Sequence, residues 1–563
     1  MERHLTVRGL VIGILGLLVI TASSMYVALR MGALPWPTIF VTVLSMAALK
    51  KARNSSLQEI NVTHTIMSSG AMVAGGLAFT IPGLWMLDPD STFPTMSLIT
   101  LAVVGAILGT LFSSIFRKRL IIEEDLPYPM GIAAFNTLKA SEEGGSGAKT
   151  LFTSMGGSVV FTLLRDAWGK IPALLTPFKG SALLPSFSFW VSPMAAGIGA
   201  IIGPVFALFW FGGALFGYYL LTPIGIKAGF FGDLAAADIF RQNLGIGLMI
   251  GTGLGVFIHA LFSKILRPKK LEEEKPKQSR RTLFLILLVL LLAVILLSLG
   301  TELGFVEALV LIVGIYLTTY LSAMLTGQTG INPMEIFGIL VLLVIQLISK
   351  PSLLASFSIA AVVAVACGLT GDVMNDLKSG HLLGTNPRDQ ILGEGVGGVV
   401  GAMLSVIVLL AMKNAFGGFG TPQLPAPQAA AVAKMVGGIE HVPAFLIGLF
   451  VGLALFLMKV PSATLGLGVY LPIYISSIMG LGALASLVFT RKTDKEKSQK
   501  RIGLVASGLL GGEGITGVLI AILSNANSLP WNRLVLLKTA RNVAYRGVSD
   551  CVSLGIVEHR LGD

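Results

Sequence analysis

The chain has 563 residues, 54% of them apolar and only 12% charged, whereas soluble domains carry about 25% charged residues. Its apolar residues fall in runs of about twenty, the length that a hydrocarbon layer of about 30 Å demands, which excludes a conventional soluble enzyme and implies a polytopic membrane protein. The net charge of +12 would suit nucleic acid, but the Lys and Arg residues cluster in loops beside apolar runs, where they mark a cytoplasmic face; no nucleic-acid partner is expected.

In chain order, the first apolar run, 9–29, lacks a small-residue cleavage site and leads into a second at 34–49, so it reads as a retained helix and not a signal peptide. Runs at 60–86 and 96–116 follow, then pieces at 127–140 and 150–167 too short or broken to cross alone, and spans at 192–221 and 243–266. These make a first transmembrane half, 1–263. The charged stretch 264–281 predicts a cytoplasmic linker. A second half, 282–525, holds runs at 282–299, 304–325, 333–349, 353–371, 392–412, 441–459, 462–489 and 502–525, with a broken piece at 421–438. The charged segment 491–501 predicts a loop in water, on the same cytoplasmic side as the N-terminus, the basic Lys50–Arg53 loop and a tail, 526–563; acidic Asp88 and Asp90 fit the opposite side. The expected fold is all-α: a multi-pass integral protein of the cell (plasma or inner) membrane, with about 14–16 transmembrane helices in two related halves. The 67 Gly and 25 Pro predict re-entrant or discontinuous half-helices, because membrane helices tolerate breaks only where protein or a watery cavity satisfies the freed backbone.

Laying the halves over one another at a shift of about 298 residues aligns Gly32–Phe40 with Gly330–Phe337 and LPYP at Leu126–Pro129 with LPAP at Leu424–Pro427. Smaller shifts align Gly197–Pro204 with Gly466–Pro472 and Leu244 with Ile502, in the same order. Paired repeats with broken helices are a carrier pattern, and counting spans from a cytoplasmic 264–281 loop places the halves in opposite orientations.

Proline before a short apolar run suits a half-helix starting at membrane depth, whose free N–H groups can hold an anionic group; the other reading is a loop entering an ordinary helix. The predicted substrate site comprises Pro127, Tyr128, Pro129, Asn332, Pro333, Gln423, Pro425, Gln428 and Tyr470. Acids in apolar surroundings are costly and so predict work: Glu335, Glu394 and Glu513 inside spans, and Asp372 with Asp376 on one helical face. With Glu59 and His64, a side chain able to carry a proton near neutral pH, they form the predicted proton-coupling set. Each has a bland alternative, an interhelical hydrogen bond or a solvated helix end, and Glu123–Asp125 reads equally as a loop end. Aspartates at this spacing also occur in magnesium-dependent prenyltransferases, but the second cluster such an enzyme needs is represented only by Asp233 and Asp238, which share a helical face poorly. Two cysteines, Cys367 and Cys551, give no metal or disulfide framework, and no phosphate loop or hydrolase motif is present; no cofactor, resident metal or catalytic residue is expected.

At these motifs the sequence resembles the oligopeptide transporter (OPT) family, which includes the yellow stripe-like metal-chelate transporters. The likeness rests on Glu59–Asn61, Leu126–Gly131, Thr329–Met334, Gly371–Gly380, Leu424–Gln428 and Gly468–Pro472. It implies a secondary transporter of small peptides, peptide-like thiols or metal–chelator complexes, usually proton-driven, and no enzyme. The expected partners are such a substrate, protons, the lipid bilayer and a second copy of the chain as a homodimer. A passive channel is the alternative.

Overall fold

The computed structural model describes residues 3–32, 34, 38–50, 55–140, 146–181, 183–266, 280–330, 332–421, 423–437, 439–492 and 495–525. Most of the expected 264–281 linker, the loop at 51–53, and the 526–563 tail with Cys551 lie outside these residues.

The first part of the chain forms α1 (Val7–Met31), α2 (Thr38–Lys50), α3 (Leu57–Ala78), α4 (Pro82–Leu87), α5 (Thr95–Arg117), α6 (Pro129–Ala140) and α7 (Ser146–Thr162). A hairpin of β1 (Leu174–Phe178) and β2 (Phe187–Trp190) precedes α8 (Pro193–Ile202), α9 (Pro204–Leu215), α10 (Thr222–Lys227) and α11 (Leu234–Leu266). Then come α12 (Arg280–Gly300), α13 (Phe305–Thr329), α14 (Met334–Gln346), α15 (Leu353–Leu383), α16 (Pro387–Phe416), α17 (Pro427–Gly437), α18 (Val442–Leu457), α19 (Ser462–Tyr470), α20 (Ile473–Lys492) and α21 (Lys495–Asn525). Pairing of Leu174 with Trp190 and Leu175 with Phe189 makes the only sheet among the described residues, and it was not foreseen. Ser477 Oγ donates to Ser188 O at 2.7 Å and fastens it to α20.

The chain is thus a multi-pass, essentially all-α membrane protein. Among the described residues nine helices are long and apolar enough to cross a bilayer, and α17 with α18 makes a tenth if taken as one broken span. Several of the apolar runs are broken. Gly203, at φ 93°, splits 192–221 into α8 and α9, and extended Leu471 ahead of Pro472 splits 462–489 into α19 and α20. The 12-residue α6 and 11-residue α17 reach about 18 Å at 1.5 Å per residue, too short to cross. The charged 495–501 stretch, expected as a loop, forms the first turns of α21.

Local sequence explains the ends. Thr6 Oγ1 accepts from Gly9 N at the start of α1, and Gly32, left-handed at φ 63°, closes it; Gly330 does the same for α13 at φ 75°. Asn386 caps α16 with Pro387 in its first turn.

The bounds of α1 and α13 differ by 298 at both ends, and α6 and α17 start 298 apart. Packing follows the same correspondence: α3 lies on α16 as α5 lies on α15, α7 on α21 as α18 on α11, and α8 on α20 as α19 on α9. Elements of one part therefore pair mostly with elements of the other. The centre belongs to α3 and α15, whose apolar windows are each 89% buried, whereas that of α12 is 17% buried and leaves Leu283, Leu287 and Leu291 exposed for lipid.

Glycines allow this centre to close. A Cβ on Gly76 would stand 2.7 Å from Val365 Cα, and one on Gly401 would stand 2.6 Å from Gly70 Cα, so backbones touch where α3 crosses α15 and α16. We expect Gly76→Ala and Gly401→Ala each to cost about 1–3 kcal/mol through overpacking. Gly212→Ala, with nothing within 4 Å of its Cβ position, should be neutral or stabilising by up to about 1 kcal/mol; thermal unfolding in detergent compares the three.

Candidate functional site

Asp372 and Asp376 are one turn apart on α15, and α16 brings Glu394 against them. Side-chain oxygens of all three lie within 4.8 Å of one another, fully buried. From α3, His64 Nδ1 reaches to 3.6 Å of Asp376 Oδ1, and Ser68 Oγ donates to Asp376 Oδ2 at 3.0 Å. Gln390 Nε2 donates to the backbone O of Asp376 at 2.8 Å and fixes the α15–α16 register. Four of the predicted proton carriers, Asp372, Asp376, Glu394 and His64, thus share one buried seam.

Ionised carboxylates accept hydrogen bonds and donate none. Asp372 Oδ2 and both oxygens of Glu394 have no donor; Glu394 meets Asp376 carboxyl to carboxyl, a contact that becomes a hydrogen bond when one of them carries a proton. At 4.8 Å or less, two ionised members repel by about 3.5 kcal/mol even at an effective dielectric of about 20. A proton shared among the three, or a hard cation bound by their oxygens, is the chemistry that this donor set accommodates.

The remaining predicted carriers stand elsewhere. Glu59, in the first turn of α3, accepts from Arg8 Nε and Thr6 Oγ1, both at 2.6 Å. Glu335, in the first turn of α14, is half-buried. Glu513 is a structural hub: Arg165 Nη2 donates to it at 2.7 Å, Ser192 Oγ at 2.9 Å and Met194 N at 2.9 Å.

The two half-helix starts form a reciprocal pair. Tyr128 and Ala426, each between two prolines, have φ of 43° and 38°, left-handed values that cost a residue with a side chain about 1–2 kcal/mol. Tyr128 N donates to Gly327 O at 2.9 Å, while Ala426 N donates to Leu29 O at 2.8 Å. Each half-helix of one part is therefore fastened to the last turn of a long helix of the other, α6 to α13 and α17 to α1. Gln428 Nε2 adds a bond to Gly32 O at 2.9 Å, and Tyr470 OH donates to Pro427 O at 3.0 Å. Asn332 braces α13 against α15, accepting from Ser322 Oγ at 2.9 Å and donating to Cys367 O at 2.8 Å. Pro333 ends the turn before α14. The ring of Tyr128 is buried, with its hydroxyl bonded to Ala323 O, so it acts as a strut. Pro127 and Pro129 are exposed, Pro425 is half-buried, Gln423 is exposed, and Pro427 and Gln428 are buried. The two starts share a backbone arrangement and differ in access.

Sequence reasoning missed Ser68, although Asn61, Thr65 and Ser68 form a polar stripe at helical spacing within an apolar span. It also missed Lys378, which is buried on α15 and donates to Asp125 Oδ1 at 2.6 Å while Gly131 N donates to Asn375 Oδ1 at 3.1 Å; together these seat α6 on α15. The Lys378 ammonium holds the Asp125 carboxyl below its ordinary 3.8. The pair is therefore intact at neutral pH and weakens only as pH falls through that lowered value. Asp233 and Asp238, the would-be second aspartate cluster, are engaged locally, by Ala236 N and by Arg241 with Gln242 respectively.

A family model described as OPT oligopeptide transporter protein matches residues 4–524. A Haemophilus influenzae protein that bears the provisional name of oligopeptide transporter is 25% identical, the match covering 89% of this chain and 93% of that protein. A protein of Oryza sativa subsp. japonica named a probable metal-nicotianamine transporter is 24% identical over 76% of this chain and 74% of its own length. The metal-nicotianamine transporter of Arabidopsis thaliana found in the same comparison is 24% identical over 74% and 71%.

The two acid environments predict opposite responses. Glu513→Ala leaves buried Arg165 short of a counter-charge and should cost about 3–5 kcal/mol. Glu394→Gln supplies donors where acceptors crowd, and should leave stability unchanged or raise it. Thermal unfolding of the two variants in detergent tests the contrast.

Proposed function

The chain belongs to the OPT oligopeptide transporter family, and from that premise we propose that it is a secondary active transporter, not an enzyme, carrying small peptides or peptide-like metal chelates. Import is coupled to protons and proceeds by alternating access, in the cell membrane with the N-terminus and the 264–281 and 491–501 segments cytoplasmic. The substrate class comes from the relatives, one named for oligopeptides and others for metal-nicotianamine complexes. The observation that carries the coupling is the convergence of Asp372, Asp376 and Glu394 beside His64, where α16 meets the most buried helix pair, α3 and α15. Three acceptor-only groups there have a chemical reason to take up and release a proton, and α3, α15 and α16 are the elements whose relative movement would alter their contact.

Alternating access draws support from the half-helix starts, which match in backbone arrangement while Pro129 is exposed and Pro427 buried. A carrier built on paired repeats exchanges the roles of two such mouths as it turns over. The half-helix starts, the Asn332–Glu335 turn, Gln428 and Tyr470 form the substrate path, and two related halves, 1–263 and 282–525, move against each other around it.

Proteoliposome uptake tests this reading. Labelled di- to tetrapeptides and an iron–nicotianamine complex should accumulate when an inward proton gradient is imposed. Asp376→Asn and Glu394→Gln should abolish gradient-driven accumulation while retaining exchange of substrate down its own gradient. Asp125 stays ionised between pH 5 and 8 because its partner holds its titration below 3.8, so Asp125→Asn should leave the pH profile in that window unmoved. Substrate flux indifferent to the gradient would remove proton coupling, and single-channel currents would replace the carrier with a pore.

A further inference from the structure

A second buried polar cluster lies where α1, α8, α21 and the turn after α7 meet, and it contains two arginines and two acids: Arg30, Arg165, Asp166 and Glu513. Their formal charges balance, but their geometry does not. Arg165 takes both acids, donating to Asp166 through Nε and Nη2 at 2.7 Å each and to Glu513 through Nη2 at 2.7 Å. Its Nη1 is spent on Val191 O at 2.7 Å. Glu513 is further filled by Ser192 Oγ and Met194 N.

Arg30 is left with little. It is 9% exposed, its Nη1 donates to the Tyr26 hydroxyl, and it stands 3.9 Å from Asp166 Oδ2, beyond hydrogen-bond range. Its buried Nε has no partner. A guanidinium carries five N–H donors in a planar fork, so this one is a buried cation with unused donors. Aromatic rings flank it: its central carbon is 4.6 Å from the Trp190 ring centre and 5.4 Å from that of Tyr26. Such faces stabilise a cation and hold its plane; of the two rings only Tyr26 carries an acceptor, its hydroxyl, and that takes Nη1 and leaves Nε free.

Its position in the chain is equally specific. Leu29 O, one residue before, accepts from Ala426 N, and Gly32 O, two residues after, accepts from Gln428 Nε2. Arg30 therefore sits on the turn of α1 to which the α17 half-helix is fastened, beside the proposed substrate path.

We propose that Arg30 is a substrate-binding residue whose guanidinium pairs with a carboxylate of the transported molecule. The assignment deepens the transport reading and rests on it for the substrate class: peptides end in a carboxylate, and nicotianamine-type chelates carry several. A planar fork with free donors matches a carboxylate as a two-pronged partner, and a ligand that supplies one satisfies donors that the cluster's own acids leave unused.

Binding by the purified full chain in detergent tests the assignment directly, with trialanine, trialanine amide and the iron–nicotianamine complex as probes. Wild type should bind trialanine about 30-fold or more tightly than the amide, the scale expected when one member of a buried charge pair is removed. Arg30→Gln should abolish that preference and weaken the chelate, and Arg30→Lys, which keeps the charge without the fork, should retain part of it. Equal wild-type affinity for acid and amide, wild-type binding of neither trialanine nor the chelate, or an unchanged preference in Arg30→Gln overturns the assignment. Should Arg30→Gln not fold, the wild-type preference and Arg30→Lys still decide. Parallel uptake in proteoliposomes separates the two claims: uptake without an acid preference sinks the role of Arg30 and leaves transport standing, while acid-selective binding without uptake does the reverse.

Discussion

A helix that stops inside a hydrocarbon layer exposes backbone groups that lipid cannot satisfy, each costing several kcal/mol. Two long helices, α1 and α13, end at left-handed glycines, and two half-helices begin at the second proline of a Pro-x-Pro, so each kind of end leaves backbone groups to be satisfied. Each problem solves the other across the molecule: the N–H of Tyr128 meets the carbonyl of Gly327, and that of Ala426 meets the carbonyl of Leu29. Because each bond joins an element of one part to an element of the other, neither part completes its own broken backbone. The interleaved packing of α7 with α21 and α11 with α18 follows the same logic at a larger scale.

On this near-twofold frame the chemistry is one-sided. At the shift of 298 that superposes α1 on α13, Asp372, Asp376 and Glu394 fall opposite Ala74, Ala78 and Met96, and His64 falls opposite Val362. The backbone arrangement occurs twice and the acids once. A second buried copy of the seam would add its own desolvation cost. The frame repeats the half-helix starts, whereas the buried acids occur on one side of it.

The half-helices were legible in the sequence because Pro-x-Pro is a local signal whose geometry is fixed by a few residues. The Asp372–Asp376 face was legible for the same reason. That Glu394 and His64 join it was not, since hydropathy places each in its own span and says nothing about which spans touch. The breaks within 192–221 and 462–489 were not legible, because a run of apolar residues looks alike whether or not Gly203 or Pro472 interrupts it. Arg30 was invisible for a different reason: an arginine at the end of an apolar run reads as an interfacial anchor, and only the fold shows it enclosed by Trp190 and Tyr26. Glu513 looked like a carrier because it is an acid inside an apolar span, but Arg165, Ser192 and Met194 N fill it, and its flanking glycines serve the close approach of α7 and α1.

Among the described residues, the helix α12 is matched to no other helix by the 298-residue shift. It is also the most lipid-exposed of the long apolar helices. It packs on α5 and α13 and so borders the matched helices without entering the acid site that α3, α15 and α16 build. What such a helix has to preserve is its length and greasiness; the identity of its side chains is free to drift in a way that the glycines beneath α3 and α15 are not.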